Sequence, residues 1–142
     1  MIYHSNEIEK FRGALEGKEF NFHDGTIKKF EHDLVNDSFH LSVHSYYKYL
    51  IEMQFRNVVF FYVTRQKFCY ENGSDKLFVL GVGLEESTKM FDCMVKEREE
   101  NQFYIDMADY SQMFNFGIQN LDGTEIFIVC DEIEINKIYD ED

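Results

Sequence analysis

The stretch Phe22-His23-Asp24-Gly25-Thr26-Ile27-Lys28-Lys29-Phe30-Glu31 lies where a short helical pattern ends and a long series of strand patterns begins. Asp24-Gly25 is a turn signal, because aspartate can bond the backbone two residues on and glycine tolerates a positive φ. Ile27 and Phe30 are three residues apart, which breaks strand alternation. Both side chains face inward only if a β-bulge lies near Lys28-Lys29, so we predict a turn followed by a bulged strand.

Phe22, His23, Asp24 and Gly25 form the sharpest motif in the chain. A carboxylate beside a histidine can orient the imidazole for catalysis or metal binding. Adjacent residues in an extended chain point to opposite faces, however. We therefore favour a structural role for the motif, with His23 hydrogen-bonded at the start of the strand, over a role for His23 as a metal ligand or general base.

The charge of the chain narrows the choice of partners. A sequence of 142 residues fits one domain, and it carries 14 basic and 27 acidic residues, for a formal net charge of −13. Such a surface repels phosphates, so nucleic-acid binding is disfavoured. The charge also keeps a protein soluble, and it can attract a basic partner protein at a rate that falls with salt. Both interpretations of the charge stay open.

The cysteines and the apolar runs indicate a compartment. Cys69, Cys93 and Cys130 are odd in number and widely spaced, which favours free thiols in a reducing cytosol over a disulfide framework or a zinc site. No secretory signal pattern opens the chain. The longest apolar run, Val58 to Val63, is far shorter than the roughly 18 residues of a membrane span. We expect a cytoplasmic protein that needs no membrane, metal or cofactor.

One helix and many strands are predicted. Ile8, Phe11 and Leu15 share a helical face after a capping pattern at Asn6, and Gly17 is placed to end this helix at about residues 6–16. From about residue 26 onward, turn signals separate roughly eight to ten strand patterns. We predict a single mainly β domain over 1–142, an antiparallel sandwich or curled barrel-like sheet with a short N-terminal helix. Residues 139–142 are expected to be an acidic tail.

The first two strands are expected to form a hairpin. Thr26 to Leu34 and Ser38 to Ser45 are extended patterns joined by the turn formers Asn36-Asp37. His40 and His44 share a face of the second arm, roughly 13 Å apart, which is too far for one metal ion. We expect both histidines to face solvent.

The middle of the chain contains two further strand predictions. Val58 to Thr64 is apolar on both faces, as in a central strand, although a short helical turn fits as well. A loop is expected at Gln66 to Asp75. In the next strand, Lys76 to Leu84, the Gly81-x-Gly83 pattern indicates a bulge or close backbone packing instead of a nucleotide-binding loop.

A long hairpin is expected from Thr88 to Met107. Phe91, Cys93 and Val95 alternate in its first arm. Its tip would present the carboxylates of Glu97, Glu99 and Glu100. Such a tip is usually only a solvated turn, and as a functional hypothesis it is our candidate contact for a basic patch on a partner.

No catalytic signature is present, so a binding role is favoured. The chain lacks a G-x-S-x-G elbow, an H-E-x-x-H motif and a cysteine-histidine signature. Fifteen Phe and nine Tyr exceed what a minimal core needs. They either fill the core or line a cavity for a small apolar ligand, and tyrosines such as Tyr46, Tyr47, Tyr49, Tyr62 and Tyr104 would suit a protein interface if exposed.

The order of features resembles a family. A predicted helix is followed by Phe22-His23-Asp24-Gly25-x-Ile27, by repeated strands and by a closing Phe127-Ile128-Val129-Cys130-Asp131-Glu132-Ile133-Glu134-Ile135. This order resembles that of the small β-rich immunity proteins of bacterial polymorphic toxin systems, the immunity protein 50-like family, and of related uncharacterised proteins with a His-Asp motif. The resemblance implies a non-catalytic cytosolic protein that neutralises a cognate toxin, and the acidic surface suits a basic one. The alternative is a small-ligand-binding or housekeeping β domain. The chain lacks proline to blunt its edge strands, so a monomer and an edge-paired homodimer both stay open.

Overall fold

The described part of the chain is built mostly from strands. A computed structural model describes residues 1–17, 19–64, 79–84, 89–100, 112–120 and 123–139. The strands are β1 (Ile2–His4), β2 (Thr26–Asp33), β3 (Ser38–His44), β4 (Tyr49–Arg56), β5 (Phe60–Thr64), β6 (Val79–Leu84), β7 (Phe114–Asn120), β8 (Glu125–Cys130) and β9 (Glu132–Tyr139). The helices are α1 (Ile8–Glu16), which follows a 3-10 turn at Ser5–Glu7, and α2 (Lys89–Glu100).

The strands form two antiparallel sheets. Sheet A has five strands in the order β1-β9-β4-β3-β2, and sheet B has four in the order β5-β8-β7-β6. Neither sheet closes on itself within the described ranges. The predicted mainly β, sandwich-like fold with a short N-terminal helix is therefore confirmed, in its sandwich form.

The core lies between the two sheets, because alternate residues of the central strands point there. β4 shows this alternation over its whole length. Its buried residues and those of β7 and β8 form one cluster, which includes Ile51, Met53, Phe55, Phe114, Phe116, Ile118, Ile126 and Ile128. Phe11 of α1 is fully buried with its ring 5.3 Å from that of Phe114, so the helix belongs to the same core.

Helix α1 is the predicted N-terminal helix, but its start differs. A 3-10 turn precedes it, and Glu7 accepts a hydrogen bond from the His4 N–H at 3.2 Å. This bond is the main cause of the lowered pKa of Glu7. The predicted cap at Asn6 is wrong, because Asn6 lies inside the 3-10 turn and the residue that precedes the α-helix is Glu7. Gly17 ends the helix as predicted, with its N–H bonded to the Gly13 carbonyl at 2.8 Å.

The first hairpin and its bulge are confirmed. β2 pairs with β3, and the register shifts between Ile27 and Lys29. The extra residue places Ile27 and Phe30 on the same side, where the Phe30 ring lies 4.4 Å from that of Phe39. Because β2 is an edge of sheet A, its bulge and its exposed lysines also oppose the addition of another strand.

Strand β5 corrects the prediction of a central strand. It begins at Phe60, and among the described strands it pairs with β8 alone. Phe61 packs against the core between the sheets, whereas Phe60 and Tyr62 pack with Phe127 on the opposite face of sheet B. A strand that is apolar on both faces is therefore packed on both faces, but it need not be central in its sheet.

Helix α2 overturns the predicted hairpin from Thr88 to Met107. The alternation of Phe91, Cys93 and Val95 indicated a strand, but the run Lys89–Glu100 is rich in the helix formers Lys, Met, Glu and Arg. Val95 packs with Phe127 and Val129 on the outer face of sheet B. No helix within the described ranges is long and apolar enough to cross a membrane.

Several predictions fall partly or wholly outside the described residues. β6 begins at Val79, and its register shift between Val79 and Gly81 confirms the predicted bulge. The loop at Gln66 to Asp75 and the second arm of the long hairpin lie outside the described ranges. Tyr139, assigned to the acidic tail, is the last residue of β9, and residues 140–142 lie outside.

The two described cysteines are free thiols in different environments, so we expect them to react differently. Cys93 is exposed, whereas Cys130 is buried and burial raises its pKa well above the ordinary value. Because the thiolate is the reactive form, only Cys93 should react with a thiol reagent in the folded protein. The check uses a Cys69→Ser variant with and without denaturant. Rapid labelling of a second thiol in the folded variant would contradict the buried position of Cys130.

Candidate functional site

The Asp24-Gly25 turn joins the two sheets. The Asp24 N–H donates to the Val79 carbonyl at 3.0 Å, and the Val79 N–H donates to the Gly25 carbonyl at 2.8 Å. The start of β2 in sheet A is thereby bonded to the start of β6 in sheet B. Phe22 is buried in the core beneath the turn. An added Cβ at Gly25 would lie 2.9 Å from the Val43 side chain and 3.0 Å from the Phe22 carbonyl, so the turn needs glycine there.

The His23 and Asp24 side chains lie together at the surface. His23 Nδ1 is 3.3 Å from Asp24 Oδ1, and the two side chains are 64% and 73% exposed. They meet because Asp24 has a φ of 61°, whereas an extended chain would separate them. The His23 backbone N–H donates to Asn21 Oδ1 at 3.1 Å. His23 also borders an open cleft of about 240 Å³ with Leu15, Phe20 and Phe22 among its lining residues.

The predicted acidic contact residues lie on a helix instead of at a hairpin tip. Glu97 and Glu100 are exposed in the second half of α2, and the side chain of Glu99 lies outside the described part of the chain. Carboxylates near a helix C-terminus interact unfavourably with the helix dipole. The predicted turn motif and these carboxylates lie on different elements of the fold.

A carboxylate held by two neighbours lies on the outer face of sheet A, the face turned away from sheet B. Glu52 Oε2 accepts hydrogen bonds from His40 Nε2 at 2.5 Å and from Ser42 Oγ at 2.6 Å. His40 lies on the outer face of the sheet, as expected, but its side chain is only 27% exposed because it is bonded to Glu52. Cross-strand pairing of β3 with β4 brings these three side chains together.

This cluster holds a carboxylate in place and does not form a nucleophile. In a serine triad the histidine lies between the hydroxyl and the acid, so that it can take the hydroxyl proton. Here Glu52 lies between Ser42 and His40, and Ser42 is nearly completely buried. Among the described residues, no three His, Cys, Asp or Glu side chains are grouped so that they could hold a metal ion.

A second network fixes the same face near β9. Arg56 donates to Glu132 at 2.9 Å and to Glu134 at 2.7 Å. These bonds raise the pKa of Arg56, with Glu134 contributing most. His4 Nδ1 lies 3.3 Å from the other oxygen of Glu132. The outer face of sheet A is therefore an ordered set of charges, not a layer of independent side chains.

Two adjoining depressions cross this face, and we call them the groove. Their volumes are about 310 and 160 Å³, and His40 and Gln54 line both. The carboxylates that line the groove are Glu31, Asp33, Glu52 and Glu134. Among the described residues no lysine or arginine lines it. Sequence alternation predicts which strand faces carry these residues, but the groove itself depends on the register of four strands.

An exposed aromatic turn lies at one end of sheet A. Tyr46 and Tyr47, in the turn between β3 and β4, are 74% and 62% exposed, and their rings lie edge to face 5.7 Å apart. Ile138 and Tyr139, at the end of β9, are also more than half exposed. Of the other tyrosines considered for an interface, Tyr49 is buried, Tyr62 is partly buried and Tyr104 lies outside the described ranges.

No protein-family model matches this sequence, and no curated protein matches it significantly. The resemblance to immunity proteins therefore stays an expectation from sequence.

Proposed function

We propose that the protein is a non-catalytic protein-binding module, an immunity-type protein that neutralises a cognate basic toxin in the cytoplasm. The observation that carries the proposal is its net charge of −13, part of which is presented by exposed carboxylates of α2. This charge increases the rate of encounter with such a partner.

Inhibition by such a module needs no chemistry of its own. A toxin domain that acts on nucleic acid presents a basic surface to phosphates. Carboxylates of the module can occupy that surface in place of phosphates and exclude the substrate. The arrangement of Ser42, His40 and Glu52 is consistent with this non-catalytic role, because it lacks the order that activates a serine hydroxyl.

The alternative, a small-ligand-binding or housekeeping β domain, has weaker support. The cleft beside His23 has a volume of about 240 Å³, and typical ligand pockets have roughly 300–1,000 Å³. The larger depression, at about 310 Å³, is lined by charged and polar residues such as Glu31 and Asp33. The apolar side chains between the sheets are almost completely buried against one another. These features favour a protein partner over an apolar small molecule.

The test is affinity capture of the tagged full chain from a lysate of its source cells, followed by an assay of the captured protein. We expect one basic protein whose recovery falls with salt and whose toxic activity the chain inhibits. A Glu97→Gln/Glu100→Gln variant should associate several-fold more slowly at low salt. The matched control, Glu16→Gln/Glu19→Gln, removes the same charge from exposed positions near α1 and should bind at a rate closer to that of the wild type.

Three outcomes would contradict the proposal. The captured protein could be acidic, it could retain full activity when bound, or the chain could retain a small apolar molecule and no protein. The last outcome would favour the ligand-binding alternative and would direct attention to the cleft beside His23.

A further inference from the structure

We propose that the basic partner docks on the outer face of sheet A, with an apolar side chain against the Tyr46-Tyr47 turn and arginine side chains in the groove. The inference rests on the proposed function for the existence of a basic partner. It places the contact on the opposite side of the sandwich from Glu97 and Glu100, which then act only by attracting the basic partner over a distance.

The largest group of exposed apolar residues lies at one end of sheet A. Seven large hydrophobic side chains are more than half exposed in the described residues: Met1, Leu34, Val35, Tyr46, Tyr47, Ile138 and Tyr139. The last four lie at the same end of sheet A, where Ile138 pairs with Leu50 on the outer face and Tyr139 pairs with Tyr49 on the opposite face. Single exposed hydrophobic residues are ordinary, but a group of them that includes adjacent tyrosines is typical of an interaction site.

The apolar end and the groove are continuous across the outer face. Leu50 pairs with Ile138 in the row next to the turn, and Glu52 pairs with Asn136 in the following row. The groove begins there and extends to the row of Gln54 and Glu134. At about 3.3 Å per residue, the turn and the groove lie within about 20 Å of each other. One interface of about 800 Å² per partner can cover both.

Charge complementarity selects the occupant of the groove. Four carboxylates line it, and the two cations beside it, Lys29 and Arg56, pair with Glu31 at 3.5 Å and with Glu134 at 2.7 Å, so negative charge is in excess there. Arg56 shows on the same face how a guanidinium group bridges two carboxylates, Glu132 and Glu134. Planar guanidinium groups match carboxylate pairs better than ammonium groups do. An arginine side chain of the partner is therefore the best fit.

Two of the carboxylates in the groove, those of Glu52 and Glu134, are already ordered by hydrogen bonds. Glu52 uses Oε2 for His40 and Ser42, and Glu134 uses Oε2 for Arg56. Within the described chain, the second oxygen of each carboxylate remains available as an acceptor. Side chains that are already ordered lose less conformational entropy when a partner binds. This distinguishes the groove from a layer of mobile surface charges.

Helix α2 provides the competing surface. Val95 packs α2 on the outer face of sheet B, so α2 and the outer face of sheet A lie on opposite sides of the sandwich. A partner of ordinary interface size cannot cover both sides. Mapping the contact therefore decides between Glu97 and Glu100 on one side and the proposed surface on the other.

The experiment uses the full chain, labelled with ¹⁵N, and a defined probe. The probe is the capped peptide Arg-Leu-Arg-Leu-Arg, and its charge-reversed counterpart Glu-Leu-Glu-Leu-Glu is the control. Backbone amide shifts are followed during titration of wild type, Tyr46→Ala/Tyr47→Ala and Val63→Ala. The last variant is the control, because Val63 is an exposed apolar residue (41%) that pairs with Ile126 in sheet B and does not line the groove.

We expect shifts concentrated at the Tyr46-Tyr47 turn and at the groove, residues 31–33, 38–40, 50–54 and 134–138. The tyrosine variant should unfold at the wild-type temperature and bind the arginine peptide about tenfold more weakly. The Val63→Ala variant should bind as the wild type does. Shifts concentrated on α2, shifts spread evenly over the surface, or equal binding by the tyrosine variant would overturn the proposal. The proposed function would survive those results, since capture and inhibition of a basic protein test it separately.

Discussion

Replacing Phe116 by alanine is expected to lower the free energy of unfolding by about 4 kcal/mol, because phenylalanine-to-alanine changes in a core typically cost about 3–5 kcal/mol. Phe116 is fully buried between the sheets, and its ring lies 5.2 Å from that of Phe55 and 6.5 Å from that of Phe11. The cavity would therefore border both sheets and α1. Urea unfolding followed by circular dichroism measures the loss, and the melting temperature should fall by roughly 10–15 °C.

The matched control is Phe30→Ala. Phe30 is 37% exposed at the margin of the same sandwich, so its removal should cost less than half as much. Equal losses for the two variants would contradict the central position of Phe116 in the core.

A Gly25→Ala change is expected to cost about 3 kcal/mol, the upper end of the range for overpacking. The added methyl would contact the Val43 side chain and two backbone carbonyls, of Phe22 and His44, at 2.9, 3.0 and 3.1 Å. Backbone atoms cannot turn aside as a flexible side chain can. The turn would have to move, and the two hydrogen bonds to Val79 would weaken.

Gly13→Ala provides a control of opposite sign. Gly13 lies inside α1, and an added Cβ there meets nothing within 4 Å. Alanine should stabilise the helix by about 0.5–1 kcal/mol relative to glycine. Denaturant unfolding gives both values, and hydrogen exchange of the Val79 amide should accelerate in the Gly25→Ala variant alone. A neutral effect of Gly25→Ala would show that the turn yields easily.

Local patterns predicted the elements whose causes are local. The alternation in β4 identified that strand, and the turn formers between β2 and β3 identified the hairpin of those two strands. The spacing of Ile27 and Phe30 predicted the bulge, because only an extra residue can place both on one side. Gly17 and Gly81 marked a helix end and a second bulge for the same kind of reason.

Other features depend on distant parts of the chain and were missed. β1 has three residues and exists because Ile2, Tyr3 and His4 pair with β9 more than 120 positions away. In α2, apolar alternation competed with helix propensity, and packing of Val95 on sheet B favours the helix. The bonds of Glu52 to His40 and Ser42 follow from the register of β3 and β4. The residue pattern within each strand does not determine which residues of the two strands lie opposite each other.

The position of β9 between β1 and β4 has a consequence for the order of events during synthesis. β9 is the last described strand to leave the ribosome. In sheet A it is the strand that lies between β1 and β4. The nascent chain can form the β2–β3–β4 meander early, but sheet A stays incomplete until β9 emerges. Such non-local pairing slows folding. Half-made chains will therefore expose the unpaired edge of β4, and chaperone binding to stalled nascent chains should peak before β9 is released.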